Sequence, residues 1–305
     1  MESKKFSPLI AIILTVIIWG FSFLSIKVSL RVFPPMTLAL TRFIMASVLL
    51  FLFIKWKEPR VRLAREDWPL MFLAGVVGVT CYFYFENNGV KLITASSASI
   101  IIATIPIFSL IADAIVYKTT LTPWKIFCVF LSVCGVYLVV AVEHPKLQLA
   151  GSGLGYLMMF GAALAWVFYC IATKPLFKKY SQLAIVYYQT LFGTVAFIPF
   201  ALFEKTNWHL ATGTIILNVV YMGVFCSALA YFLYVYSLDK LGINVSSIFL
   251  NLIPVVTVIA SAFILKEVIK PMQVIGGVLV IISVTLANWE NNEPIASPEQ
   301  NVSQS

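Results

Sequence analysis

The chain has 305 residues, of which 61% are hydrophobic and only 11% charged, and its net charge is +8. A soluble domain carries about 25% charged residues, so this composition excludes one. The apolar residues also run continuously rather than alternating, which excludes the strands of a membrane β-barrel.

Ten apolar runs fill the sequence, at 8–28, 34–54, 68–89, 95–117, 123–141, 153–173, 183–203, 212–237, 243–265 and 271–289. Each is close to the roughly 20 residues that about 30 Å of hydrocarbon asks of a helix. The fold class read from this is an all-α membrane protein of ten transmembrane helices. Only short polar stretches separate the runs, leaving no room for a soluble catalytic domain. The first run follows Lys4 and Lys5, but it is longer than the core of a signal peptide and no A-x-A-like site follows near Phe23–Arg31. It is read as a retained helix.

The basic residues alternate in density from loop to loop. With the N-terminus inside, 13 of the 21 lysines and arginines fall on the cytoplasmic side, 7 fall outside, and Arg42 lies within a span. The 55–67 loop, with Lys55, Lys57, Arg60, Arg62 and Arg65, carries most of that bias. Both termini are therefore expected in the cytoplasm. This use of basic charge points to membrane orientation and not to nucleic acid. The five cysteines lie in predicted spans without a C-x-x-C pair, and His144 and His209 lie in loops. No metal site or cofactor is expected.

The runs form two similar sets of five. A shift of 147 residues places Trp19 on Trp166, Lys27 on Lys174 and Arg42 on Gln189. A shift of 148 places Gly75 on Gly223, Pro106 on Pro254, Lys118 on Lys266 and Pro123 on Pro271. The expected organisation is a first repeat at 1–141, a linker at 142–152, a second repeat at 153–289 and a disordered cytoplasmic tail at 290–305. Because five is odd, the second repeat enters the membrane from the opposite side. Inverted-topology repeats of this kind belong to alternating-access carriers. The glycine-rich Gly151–Gly155 stretch lacks a preceding strand and a G-K-[ST] ending, so it is not a phosphate loop.

Polar groups within the spans are costly and mark candidate function. Arg42 lies about 12 Å below the outer edge of its span and Glu86 about 4–5 Å below its own, so an ion pair between them is one reading. A snorkelling Arg42 is the other. Asp113, near Lys118 and Lys125, reads as an interfacial charge or a proton-coupling group, and Glu86 is the second candidate for coupling. Trp19 and Trp166 sit near mid-membrane as repeat mates. Tyr82, Asn87, Tyr169, Tyr231, Tyr234 and Asn251 complete the expected substrate-binding set, with ordinary helix packing as the alternative for each aromatic. Pro106 and Pro254 mark matching helix breaks or kinks. The expected partners are a small-molecule substrate and membrane lipid. Oligomeric state cannot be read from the spans.

Several segments carry a family likeness: Trp19–Phe23, Arg42-Phe43, Tyr84–Lys91, Thr94–Ser99, Ile105–Ile107, Leu241-Gly242, Pro254 and Leu265–Glu267. In this order, over essentially the whole chain, they resemble the EamA family of the drug/metabolite transporter superfamily. Glu267 matches an acidic residue common after the family's ninth span, whereas Thr119 holds the corresponding first-half position. The resemblance implies a ten-helix carrier of the plasma membrane (a bacterial inner or cell membrane) that commonly exports amino acids or other small metabolites. It also implies a central site built by spans one, three, four, six, eight and nine. Four-helix multidrug members of the superfamily couple protons through a glutamate in span one, and span one here has no acidic residue. The expected function is secondary transport of small metabolites, amino acids foremost, in the direction of export. A lipid or lipid-precursor flippase is the alternative. A passive channel is disfavoured by the repeat, and an enzyme by the missing catalytic motifs.

Overall fold

The computed structural model describes residues 7–116, 118, 121–143 and 149–290. The proposed tail beyond residue 290 and the centre of the linker lie outside the described residues, as does the side chain of Asp113. Among the described residues there are helices and no strand. Eight helices are long and apolar enough to cross a membrane, and two shorter apolar ones, Ile253–Leu265 and Pro271–Ala287, follow them. The protein is an all-α, ten-helix membrane protein. Helices satisfy every backbone group internally, which the hydrocarbon requires.

The first two spans, Pro8–Ser29 and Pro35–Lys57, each start with proline in the first helical turn, where its missing N–H removes no bond. The third runs from Trp68 to Leu92 and widens into a π-helix over Val76–Cys81. The fourth is two helices, Ala95–Ile102 and Ile105–Val116, broken at Ala103 and Thr104. The fifth is Pro123–Glu143, the sixth Leu154–Thr173 and the seventh Gln182–Leu202. The eighth starts at Gly213–Tyr221 and widens into a π-helix over Met222–Leu229. Its backbone then stays helical through Ala230–Leu250, well past the expected loop at 238–242. The break comes later, at Asn251 and Leu252, before Ile253–Ala260 and a π-turn at Ser261–Leu265. The tenth span is Pro271–Glu290.

The irregularities fall in register between the halves. A shift of 148 carries the break at Ala103–Thr104 onto that at Asn251–Leu252, with Pro106 and Pro254 each second in the helix that restarts. The same shift carries the first π-helix into the second. Among the described residues, the non-glycine positions with left-handed φ are Lys118 (53°) and Lys266 (55°), again 148 apart.

Packing follows the same rule. The third span packs on the sixth as the eighth packs on the first, and the fourth on the sixth as the ninth on the first. The second packs on the eighth as the seventh packs on the third, while second and seventh pair with each other, as do fifth and tenth. Between second and seventh, the Ser47 and Thr194 hydroxyls meet at 2.9 Å, and these residues are themselves 147 apart. They mark the approximate two-fold axis of the core. Lipid gives helices little hydrophobic reason to associate, so small residues and interhelical hydrogen bonds do this work. Fifth and tenth touch through glycine: a Cβ on Gly135 would lie 2.7 Å from the Gly276 carbonyl oxygen.

Carboxylates close helix starts at both faces. Glu204 accepts from the backbone N–H of Met36 (3.1 Å) and Thr37 (2.6 Å) and from the Thr37 hydroxyl (2.9 Å), at the start of the second span. Glu58, just past the end of the second span, accepts from Ser181 (2.6 Å), which caps the seventh. Glu267 accepts from Ala95 N (2.9 Å), Ser96 N (3.3 Å) and the Ser96 hydroxyl (2.7 Å), at the start of the fourth. A helix N-terminus offers unpaired N–H groups and partial positive charge, so a carboxylate suits it. At the face that holds Pro8 and Gln182, Lys179 bonds Asp67 (2.8 Å) and Glu66 (3.2 Å), and these bonds raise the Lys179 ammonium pKa above its ordinary value.

Candidate functional site: a polar pair in an aromatic box

Two tryptophans organise the centre. The Trp19 ring lies 5.3 Å from Tyr231 and 5.5 Å from Tyr234, and its Nε1 donates to the Cys226 carbonyl at 3.0 Å. Its repeat mate Trp166 lies 5.2 Å from Tyr82 and 5.1 Å from Tyr169. The first cluster joins spans one and eight, the second spans three and six. Trp166, Tyr169 and Tyr231, with Phe43, Gln189 and Thr190, line a central cavity of about 10 Å³. That is about the room one water occupies.

The π-helix of the third span shapes this cavity. Its Gly78 lies flat under the Tyr169 ring, where an added Cβ would come within 2.1 Å of the ring. Only glycine lets that ring reach the backbone. The wider turn also brings Tyr82 and Glu86, four residues apart, onto the inner face of the following helix.

Arg42 is buried, with 4% of its surface exposed. Its guanidinium carbon lies 4.5 Å from the Phe83 ring centroid and 5.3 Å from that of Phe43, and its Nε donates to the Ser227 hydroxyl at 2.7 Å. Glu86 is equally buried and accepts from the Tyr82 hydroxyl at 3.0 Å through one oxygen, while the other, Oε2, has no partner. The ion pair expected between Arg42 and Glu86 is not formed. The tyrosine one turn earlier takes the carboxylate, and the aromatic rings with Ser227 take the guanidinium. Snorkelling is also excluded, because Arg42 stays buried among Phe43, Phe83 and Ser227. The two charges are neighbours without touching.

Eight of the ten expected binding residues therefore converge: Trp19, Arg42, Tyr82, Glu86, Trp166, Tyr169, Tyr231 and Tyr234. Asn87 does not join them. Its Nδ2 donates to the Pro35 carbonyl at 2.8 Å and ties the third span to the start of the second. Asn251 sits at the break of the ninth span, buried, with Nδ2 unpartnered and no bond to the box. Asp113 lies in the helix Ile105–Val116. Sequence reading overlooked Ser227 and Phe83, and took Gly78 only as a glycine that lets helices pack closely. It noticed Gln189 only as the repeat mate of Arg42. Ser227 and Phe83 gave no signal, because serine and phenylalanine are ordinary in such helices.

The sequence pattern of the EamA-like transporter family matches residues 6–141 and, a second time, residues 153–289. An uncharacterized transporter of Archaeoglobus fulgidus is 28% identical over 281 residues, covering 92% of this chain and 96% of that protein. A probable terminal-alkyne amino-acid exporter of Streptantibioticus cattleyicolor is 29% identical over 281 residues, covering 91% and 92%. A protein of known crystal structure superposes with a TM-score of 0.67 at 17% identity, covering 94% of this chain and 98% of its own, a likeness of fold alone.

Proposed function

The chain belongs to the EamA-like transporter family, and we propose that it is a secondary carrier moving zwitterionic small metabolites, amino acids foremost, by alternating access. The carrying observation is a buried guanidinium and a buried carboxyl group that are not bonded to each other, the carboxyl keeping one oxygen free. A planar guanidinium suits a substrate carboxylate, and the free Oε2 of Glu86 suits an ammonium group. The tyrosine and tryptophan faces that surround them suit the apolar side chain between. The name of the Streptantibioticus relative supports both the amino-acid class and the direction of export.

Alternating access fits the matched breaks, π-helices and packing of two five-helix units, 1–141 and 153–289, placed in inverted orientation. The break at Pro106 and its mate at Pro254 would let each unit bend about the centre. In this reading the face holding Pro8 and Gln182 is cytoplasmic, as the basic loop 55–67 favours, and both termini lie inside. Glu86 cannot hold a proton and an ammonium group together, so a proton bound at Oε2 would compete with substrate. That competition is the simplest route to coupling.

Counterflow in proteoliposomes preloaded with unlabelled amino acids tests this reading, run with and without a pH gradient. Trans-stimulated accumulation of a labelled amino acid is the expected result. Absence of counterflow from folded protein, with scrambling of a lipid analogue in the same vesicles, would replace the carrier by a flippase.

A further inference from the structure

We infer that Gln189 is a second polar station of the same path, receiving the substrate's N–H donor group when the face holding Pro8 and Gln182 is open. This rests on the carrier reading above and names a residue that reading does not use.

Gln189 is 2% exposed, yet its carboxamide is only half satisfied. Nε2 donates to the Thr173 hydroxyl at 3.0 Å, and Oε1 has no partner. The residue lines the central cavity beside Tyr169 and Tyr231. A buried amide oxygen left unbonded costs stability, and a cavity beside it gives a ligand group somewhere to bond.

Its position is not arbitrary. Gln189 lies seven residues into the seventh span and five before Thr194, as Arg42 lies seven into the second and five before Ser47. The Ser47–Thr194 contact lies where the two spans cross. Each residue is therefore about 7.5 Å from the crossing, on opposite sides of it. Arg42 serves the half of the path toward one face and Gln189 the half toward the other. The two halves share Phe43, which lies under the Arg42 guanidinium, and that ring also walls the cavity at Gln189. The symmetry is geometric but not chemical. A cation stands at one station and a neutral acceptor at the other, so the station at Gln189 takes the donor end of the substrate.

The test measures half-saturation from each face in right-side-out and everted vesicles bearing the full chain. The probe is the labelled neutral amino acid that the wild-type carrier exchanges best. Gln189→Leu is expected to raise half-saturation about 10-fold from the Gln182 face, the cost of one hydrogen bond to a charged group, and under twofold from the other. Gln189→Glu, which keeps the volume and adds charge, is expected to lower it from the Gln182 face. Equal changes from both faces, no change, or weaker binding with Gln189→Glu would overturn the assignment. Failure of the wild type to exchange any amino acid would instead remove the carrier reading beneath it. Should Gln189→Leu fail to fold, the direction of the Gln189→Glu shift decides alone.

Discussion

Arg42 keeps its charge in the membrane by resting on Phe83 and bonding Ser227, not by pairing with an acid. A lysine at that position would have neither the flat face nor the Nε–H that these contacts use. Arg42→Lys is therefore expected to lower transport at limiting substrate about 10- to 100-fold, since the lost contacts amount to roughly 1–3 kcal/mol. Measured initial rates in proteoliposomes check it, and wild-type rates would show that charge alone suffices. Glu86→Gln keeps the Tyr82 bond within reach but cannot ionise. If protons are coupled, it should abolish the pH dependence of uptake, and an unchanged pH profile would remove Glu86 from that role. At this scale the sequence was partly legible. An arginine, a glutamate and paired tryptophans inside apolar runs announce themselves because hydrocarbon makes them costly. Which groups they bond does not, because the choice between Glu86 and a ring is made by helix rotation, which no residue pattern states.

Helix breaks and π-helices carry the site more than any single helix does. Pro106 and Pro254 were legible, since proline cannot donate to the carbonyl four residues back. The junction of the eighth and ninth spans was not. Leu238-Asp239-Lys240-Leu241-Gly242 reads as a loop by polarity, yet the backbone stays helical to Leu250. Hydropathy reports where hydrocarbon ends, whereas a helix ends only where its hydrogen bonds do. The π-helices were not legible either, because one extra residue per turn leaves composition unchanged. Their consequence is testable at Gly78. Gly78→Ala would force the Tyr169 ring away from the third span, since the new carbon would stand 2.1 Å from it. A loss of most transport with near-normal helical content by circular dichroism is expected. Pro254→Ala would supply the N–H needed to carry the helix unbroken across Asn251 and Leu252, and is expected to raise the apparent melting temperature while slowing turnover.

Two-fold organisation governs the whole molecule, and it was visible in sequence through rare residues recurring 147 or 148 positions apart. One departure from it lies at the ends of the fourth and ninth spans. The left-handed turn at Lys266 sends Glu267 back onto the first turn of the fourth span, and the Ser96 and Ser261 hydroxyls meet beside it at 2.5 Å. The residue 148 positions earlier is Thr119, which has no carboxylate to offer. Helix caps of this kind contribute about 1 kcal/mol. Glu267→Gln should make this face open roughly fivefold more often, read as faster thiol labelling of a Ser99→Cys background, which leaves the clasp at Ser96 intact; unchanged labelling would mean that the cap carries no closing force. A mechanism with equal halves would idle equally in either posture. In the carrier reading, Glu267 must let go of the fourth span each time its own face opens, while the Gln182 side must part Lys179 from Asp67 and Glu66, and Ser181 from Glu58. Net direction would still be set by the gradients; the unlike clasps at the two faces would set only how quickly each side lets go.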